Sequence, residues 1–204
     1  MIISNIVEFD KKRNKIFIDG EFAFVLYKGE LRSFGIKEGE QLSEEAYHEI
    51  TRNLLPKRAT KRAMELLVKK DYTEKKLKDK LAEGLYSEDI IDAAIEYVKS
   101  YNYLNDERYA RDYVSYNIEL KSKMRIKQDL MTRGVSKDVI DLVLDEFGED
   151  ECRDAETDQI KKLLSKKHYD PDMDYKEKQK IIAFLLRKGY SMELIKNAIN
   201  CDDL

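Results

Sequence analysis

The chain is poor in the residues that break regular structure. Its 204 residues include two prolines and eight glycines, which excludes collagen-like repeats and long irregular segments. It has two cysteines and two histidines. Cys152 and Cys201 are not in a ligand-like spacing, and His48 and His168 lie near neither in sequence, so a zinc site is not expected. Two free thiols suit a reducing cytosol. No window approaches 18 uninterrupted apolar residues, so no membrane span is expected. Residues 1–8 start apolar without a basic n-region and meet acid at once, unlike a signal peptide. A cytoplasmic location is the resulting expectation. An excess of one charge is also missing. Charged residues make up 39% of the chain, yet the net charge is only −3, which argues against a polyanion-binding tail or an acidic disordered protein. Chemical motifs are missing too. There is no Gly-rich phosphate loop, nucleophile elbow or His-Glu-x-x-His, neither cysteine has an evident histidine partner for nucleophilic work, and no cofactor or enzymatic activity is expected.

What is abundant is Glu, Lys, Leu and Ile, the vocabulary of helices, with thirteen tyrosines and seven phenylalanines to help build a core. The first 56 residues read differently. Ile16-Phe17-Ile18 and Phe22-Ala23-Phe24-Val25 are strand-like runs around Asp19-Gly20, a preferred pair for a two-residue turn. Residues 2–9 supply a third strand, with the turn at 11–14. Residues 28–34 form a short helix ending at Gly35. Ser43 caps a helix through Leu54, and Pro56 is expected to force a boundary nearby. This leader, 1–56, is a small β-rich or α+β domain. It carries eight basic and ten acidic residues and shows no obvious nucleic-acid face.

The rest is a threefold repeat. Residues 81–91, 130–140 and 185–195 align, and in each a helix ends near a glycine (Gly84, Gly134, Gly189) while a serine (Ser87, Ser136, Ser191) caps the next helix. Glycine suits the left-handed residue that closes a helix, serine accepts from an orphan N–H, and Asp89, Asp138 and Glu193 complement the dipole. Tyr86, Val135 and Tyr190 are placed to staple onto Ile91, Ile140 and Ile195. Gly84 sits one residue early. An upstream helix precedes each copy, at about 59–70, 105–120 and 151–166. In the first copy Thr73 caps a further helix with a Tyr72/Leu77 staple, and in the second Leu104 and Tyr109 are the staple pair. The expected architecture is therefore mainly α, with three tandem three-helix repeats (57–100, 101–149 and 150–204) forming an elongated body behind the leader.

Several of these segments resemble the RecX family. Tyr103-Leu104-Asn105-Asp106-Glu107-Arg108-Tyr109-Ala110 is similar to the family's leucine, acid pair, aromatic, alanine segment. Residues 76–81 resemble its first-repeat motif and residues 126–135 its second. The resemblance covers about 59–198 and includes the threefold repeat. Asn105 stands where the first acid of the pair is usual and Lys76 where Glu is usual. Asparagine caps as well as aspartate, so only a contact made by the missing acid at position 76 is put in doubt. The resemblance implies a regulator that binds the helical groove of the filament that the RecA recombinase forms on DNA. It implies inhibition of ATPase, strand exchange and coprotease activity, restraining recombination and the SOS response. A monomer is expected, with the RecA filament as partner and with single- or double-stranded DNA met directly or through it.

The candidate contacts are basic. Lys57, Arg58, Lys61 and Arg62 form one run without acids; Lys121, Lys123, Arg125 and Lys127 form another. Arg108, Arg111 and Arg133 complete the candidate set, and Lys161, Lys162, Lys166 and Lys167 form a third cluster. An ordinary solvated helix face competes with contact to phosphates or an acidic protein surface. Residues 57–150 hold nineteen basic and twenty acidic groups, so any basic patch must be made by folding. Asp106 and Glu107 read as a helix start rather than an acid/base pair. Tyr101, Tyr103, Tyr109, Tyr113 and Tyr116 can stack on bases, but their helical spacing favours core packing. Two other functions compete: a small helical DNA-binding module acting without RecA, and an adaptor for a different protein.

Overall fold

The computed structural model describes residues 1–200, with the side chains of Glu151 and Asn200 not described. Cys201, one of the two expected thiols, lies outside the described residues. The chain divides into two compact units, Met1–Leu104 and Asn105–Leu204.

The first unit opens with strands β1 (Ile3–Glu8), β2 (Arg13–Ile18) and β3 (Glu21–Tyr27) in an antiparallel sheet of order β1-β2-β3. The Asp19-Gly20 turn forms as expected. Both residues have positive φ, 49° and 92°, and Ile18 pairs with Glu21 across them. Helix α1 (Lys28–Ser33) follows, and α2 (Glu44–Glu49) is capped by Ser43, which accepts from the Ala46 N–H at 3.2 Å. These elements bury Ile3, Ile16, Phe24, Leu26 and Ile50 on one face of the sheet.

The boundary expected at Pro56 does not occur. Helix α2 runs into a π-helical turn, Ile50–Leu54, and this into α3 (Leu55–Lys69), giving one continuous rod over residues 44–69. A proline ring inside a regular α-helix collides with the carbonyl four residues back. The wider turn, in which the Leu55 N–H reaches the Ile50 carbonyl, opens the coil immediately before the proline, and such single-turn bulges are how helices absorb an irregular residue. Leu55 consequently belongs to the sheet's core, while Ala59, Ala63 and Leu66 of the same rod belong to the next. That second core is closed by α4 (Glu74–Ala82) and α5 (Glu88–Ser100), through Leu77, Leu81, Ile91, Ile95 and Val98. Tyr86 and Ile90 pack against both cores, so the leader and the first three-helix unit share side chains.

The second unit holds α6 (Asp106–Asn117), α7 (Lys123–Arg133) and α8 (Lys137–Glu146), then α9 (Glu149–Lys166), α10 (Tyr175–Arg187) and α11 (Met192–Asn200). Each triplet has its own core: Val114, Ile126, Leu130, Ile140 and Leu144 in one, Ile160, Leu164, Leu185 and Ile195 in the other. Asn105 caps α6, its side chain accepting from the Arg108 N–H at 2.9 Å. Leu104 is buried in the core of the first unit, and Tyr109 packs against the α6–α8 core.

The repeat's closing turn is realised in two ways. Gly134 and Gly189 carry the left-handed conformation, with φ of 93° and 94°. In the first copy the left-handed residue is Leu85, with φ 58°, and not Gly84. Side-chain L-residues occupy that region at a cost of about 1–2 kcal/mol. Gly84 has a different reason: a Cβ there would lie 2.7 Å from Cε2 of the Tyr86 ring. The serine caps differ in parallel. Ser136 accepts from the Val139 N–H and Ser191 from the Leu194 N–H, whereas the Ser87 side chain makes no capping bond.

Candidate nucleic-acid and partner interface

Folding gathers the basic residues into three settings. The first is an open cleft of about 670 Å³ in the first unit. Arg58, Lys61 and Arg62 of α3 line it, the β1–β2 turn brings Lys12, the start of β2 brings Arg13, and α4 brings Lys80. The leader, which looked neutral by composition, thus contributes two of the six cations. Lys57 is exposed on α3 outside the cleft lining.

Arg58 is different in kind from its neighbours. Its side chain is only 14% exposed and its Nη1 donates to the Glu30 carboxylate at 2.8 Å. Its Nη2 donates to the Val25 carbonyl of edge strand β3 at 2.5 Å, and its Nε to the Tyr86 hydroxyl at 3.2 Å. The guanidinium also lies over the Tyr27 ring, 5.1 Å from its centroid. Glu30 is fixed in turn by the Tyr27 N–H at 2.7 Å. Arg58 therefore bolts the rod to the sheet, a task the planar five-donor guanidinium performs and an ammonium does not.

The second setting is one face of α7, organised on Asp129. Its carboxylate accepts from Lys121 Nζ at 2.9 Å and the Tyr113 hydroxyl at 2.8 Å, and pairs with Arg125 Nε at 3.2 Å. Burial pushes this carboxyl up, but the Lys121 and Tyr113 hydrogen bonds and the nearby Arg125 hold it below its ordinary value. Arg133 joins from the helix's end, donating to the Tyr109 hydroxyl at 2.9 Å and lying over the Tyr113 ring. Two cations thus share one acid, and the third is held by the neighbouring tyrosines. The third setting lies on another face of α7, because residues two apart on a helix point away from each other. There Lys127 pairs with Asp141, whose carboxyl is held low first by that hydrogen bond, with Lys137 and Lys123 adding to the field. The run 121–127, contiguous in sequence, is therefore two surfaces.

Arg111 is committed elsewhere. It bonds Glu107 at 2.7 Å and Glu146 at 2.9 and 3.0 Å, tying α6 to α8. Arg108 is exposed on α6. The tyrosines divide. Tyr109 and Tyr113 pack on the core as the spacing suggested, but Tyr101, Tyr103 and Tyr116 are exposed by 58%, 51% and 80%. Tyr101 and Tyr103 stack on each other with 5.9 Å between centroids. They follow the end of α5 in a turn, where helical spacing no longer applies.

A further polar cluster, which periodicity cannot reveal, joins the two helix triplets of the second unit. Glu156 of α9 is 9% exposed. It accepts from the Lys123 N–H at 2.8 Å, in the first turn of α7, where the helix dipole favours an acid. Burial still pushes its carboxyl up. Gln159 donates to the Ile118 carbonyl and accepts from the Tyr190 hydroxyl, both at 2.7 Å. Tyr190 is pushed up to about 12 by burial and by the Glu156 charge. Ser122 donates to the Lys188 carbonyl at 2.7 Å. Gly189 completes the seam: a Cβ there would lie 2.6 Å from the Ser122 hydroxyl.

Comparison with known proteins gives this repeat a family. Models of the first, second and third three-helix domains of RecX match residues 59–97, 105–144 and 154–199. The regulatory protein RecX of Caldanaerobacter subterraneus subsp. tengcongensis is 34% identical over 202 residues, covering 98% of this chain and 99% of that protein. The chain belongs to the RecX family. The RecX protein of Clostridioides difficile is 31% identical over 198 residues, covering 93% of the chain and 91% of the relative. A crystal structure of a regulatory protein RecX superposes with a TM-score of 0.64 at 25% identity, covering 96% and 98% of the two chains. RecX from Lactobacillus salivarius shares the fold, with a TM-score of 0.63 over 73% of this chain and 97% of that one.

The relatives that match are regulatory proteins by name. No group of three or more His, Cys, Asp or Glu among the described residues could hold a metal ion. No helix among them is long and apolar enough to cross a membrane. The three RecX domain matches begin at residue 59, so the leader's Lys12 and Arg13 and the bolt Arg58 lie outside them. The relative from Caldanaerobacter nonetheless aligns over 98% of the chain.

Proposed function

We propose that this RecX chain binds the filament that the RecA recombinase forms on DNA. In doing so it inhibits the recombinase, ATPase and coprotease activities, and so modulates homologous recombination and the SOS response in the cytoplasm. The observation that carries the reading is membership of a family of regulatory proteins along nearly its full length. The surface supports it. A protein that grips a nucleoprotein filament needs separate contacts for protein and for phosphate, and the cations here are distributed over a cleft and two faces of α7. Weak contacts repeated along one filament gain from effective concentration, so a monomer suffices.

The competing reading is a small helical DNA-binding module that acts without RecA, which the cation-lined cleft favours. Co-sedimentation separates them. Filaments of RecA on single-stranded DNA, held by a slowly hydrolysed ATP analogue, should retain the chain at salt concentrations that release it from DNA alone. Equal release from both supports the module and contradicts filament regulation.

A further inference from the structure

The cleft of the first unit is a composite built by the leader, which holds eight basic and ten acidic residues, and the first three-helix repeat, 57–100, which holds eleven and nine. Its six cations come from the β1–β2 turn, the start of β2, α3 and α4, against three carboxylates, Asp10, Glu65 and Glu83. Those carboxylates do not use up the cations. Asp10 is spent on Arg13 at 2.7 Å and Glu83 on Lys80 at 2.7 Å, while Glu65 stands 3.9 Å from Arg62. Lys12 and Lys61 are exposed and form no ion pair among the described residues. Two ammonium groups without ion-pair partners, one from the β1–β2 turn and one from α3, thus line one concavity, and the cleft carries a net surplus of positive charge. The Tyr27 ring, 39% exposed, lines it too. Arg58 makes the walls one body by holding β3 to α3.

We propose that this cleft holds the phosphate backbone of a single nucleic-acid strand, with Lys12 and Lys61 as its main phosphate contacts. Arg62 and Lys80 assist, and Tyr27 offers a surface on which a base can stack. A cleft of about 670 Å³ has room for a short stretch of one strand. Cationic grooves with aromatic walls are the usual receptacle for single strands. The site belongs to the leader and first three-helix unit, and it stands whether or not RecA is the partner.

The test is fluorescence anisotropy of a labelled oligo-dT with the full-length protein, over a salt series and without RecA. Reversal at Lys12→Glu with Lys61→Glu should weaken binding by about tenfold or more at low salt. It should also flatten the salt dependence by about 1.4, which is two phosphate contacts at about 0.7 each. Reversal at the exposed Lys75→Glu with Lys176→Glu, outside the cleft, should change the slope by far less. Both cleft lysines are exposed and unpaired, so circular dichroism and thermal melting should match the parent protein. Unchanged affinity and slope in the cleft variant would overturn the proposal. So would absence of oligonucleotide binding by the parent protein. Unlabelled oligonucleotide should displace the probe better than inorganic polyphosphate at equal phosphate concentration. Equal displacement would mean a site for any phosphate chain and would overturn the assignment to nucleic acid.

Discussion

The two compact units use the same helical repeat but fasten it differently. In the first, a three-helix unit is joined to a sheet by a part-buried seam in which a cation, Arg58, spans Glu30, Val25 and Tyr86. In the second, two three-helix units are joined by a buried seam without a cationic side chain, formed by Ser122, Glu156, Gln159, Gly189 and Tyr190. The glycine of the repeat follows the seam. Gly189 combines a left-handed backbone with a close approach to Ser122. Gly84 has no positive φ and instead clears space for the ring that Arg58 bonds. One sequence motif therefore answers to two physical demands, and what docks against the turn decides which.

Breaking the seams should show their difference. Gly189→Ala should have the largest effect. It adds left-handed strain of about 1–2 kcal/mol to overpacking of about 1–3 kcal/mol, so chemical denaturation should show about 3 kcal/mol lost. Arg58→Ala comes next. Losing hydrogen bonds between a charged donor and part-buried acceptors costs about 2 kcal/mol, and Arg58→Lys should recover little of it, since the fork geometry is lost. A melting curve for each variant checks both. Leu85→Gly should have a small effect of opposite sign. Relief of the left-handed strain at Leu85 outweighs the extra flexibility of glycine, and a gain of about 0.5 kcal/mol is expected from the difference of those two costs.

A pH series sharpens the comparison further. Burial raises the Glu156 carboxyl, so the folded chain binds this proton at a higher pH than the unfolded chain does. Between the unfolded and folded values the native state holds more protons, so this group's contribution to stability falls as pH rises. Glu156→Gln keeps an acceptor for the Lys123 N–H without the buried charge. It should melt higher than the parent at neutral pH and lose that advantage as the pH falls into the range where the parent's carboxyl is protonated. The first unit's seam has no such buried acid and should not contribute to this difference.

Much of the scaffold could be read along the chain because it is written in local signals. The Asp19-Gly20 turn, the Ser43, Thr73, Asn105, Ser136 and Ser191 caps and the threefold order of helices are all made by neighbours in sequence. The site was less legible, for the converse reason. Lys12 reaches the same cleft as Lys61 only because the sheet packs on α3, and nothing local ties the two. The run 121–127 is contiguous along the chain but not in space, where Arg125 faces Asp129 and Lys127 faces Asp141. Pro56 looked like a boundary because its usual cost was applied to a regular helix, and the preceding π-helical turn changes the geometry on which that cost depends. Tyr101 and Tyr103 are exposed because the helical period that would bury them ends with α5.

The most direct test of the proposed regulation is the rate of ATP hydrolysis by RecA on single-stranded DNA as this chain is titrated in. Hydrolysis is expected to fall, and to fall at amounts of the chain well below one per RecA subunit. Hydrolysis that stays unchanged up to equimolar amounts, under salt conditions where the filament remains assembled, would contradict that regulation.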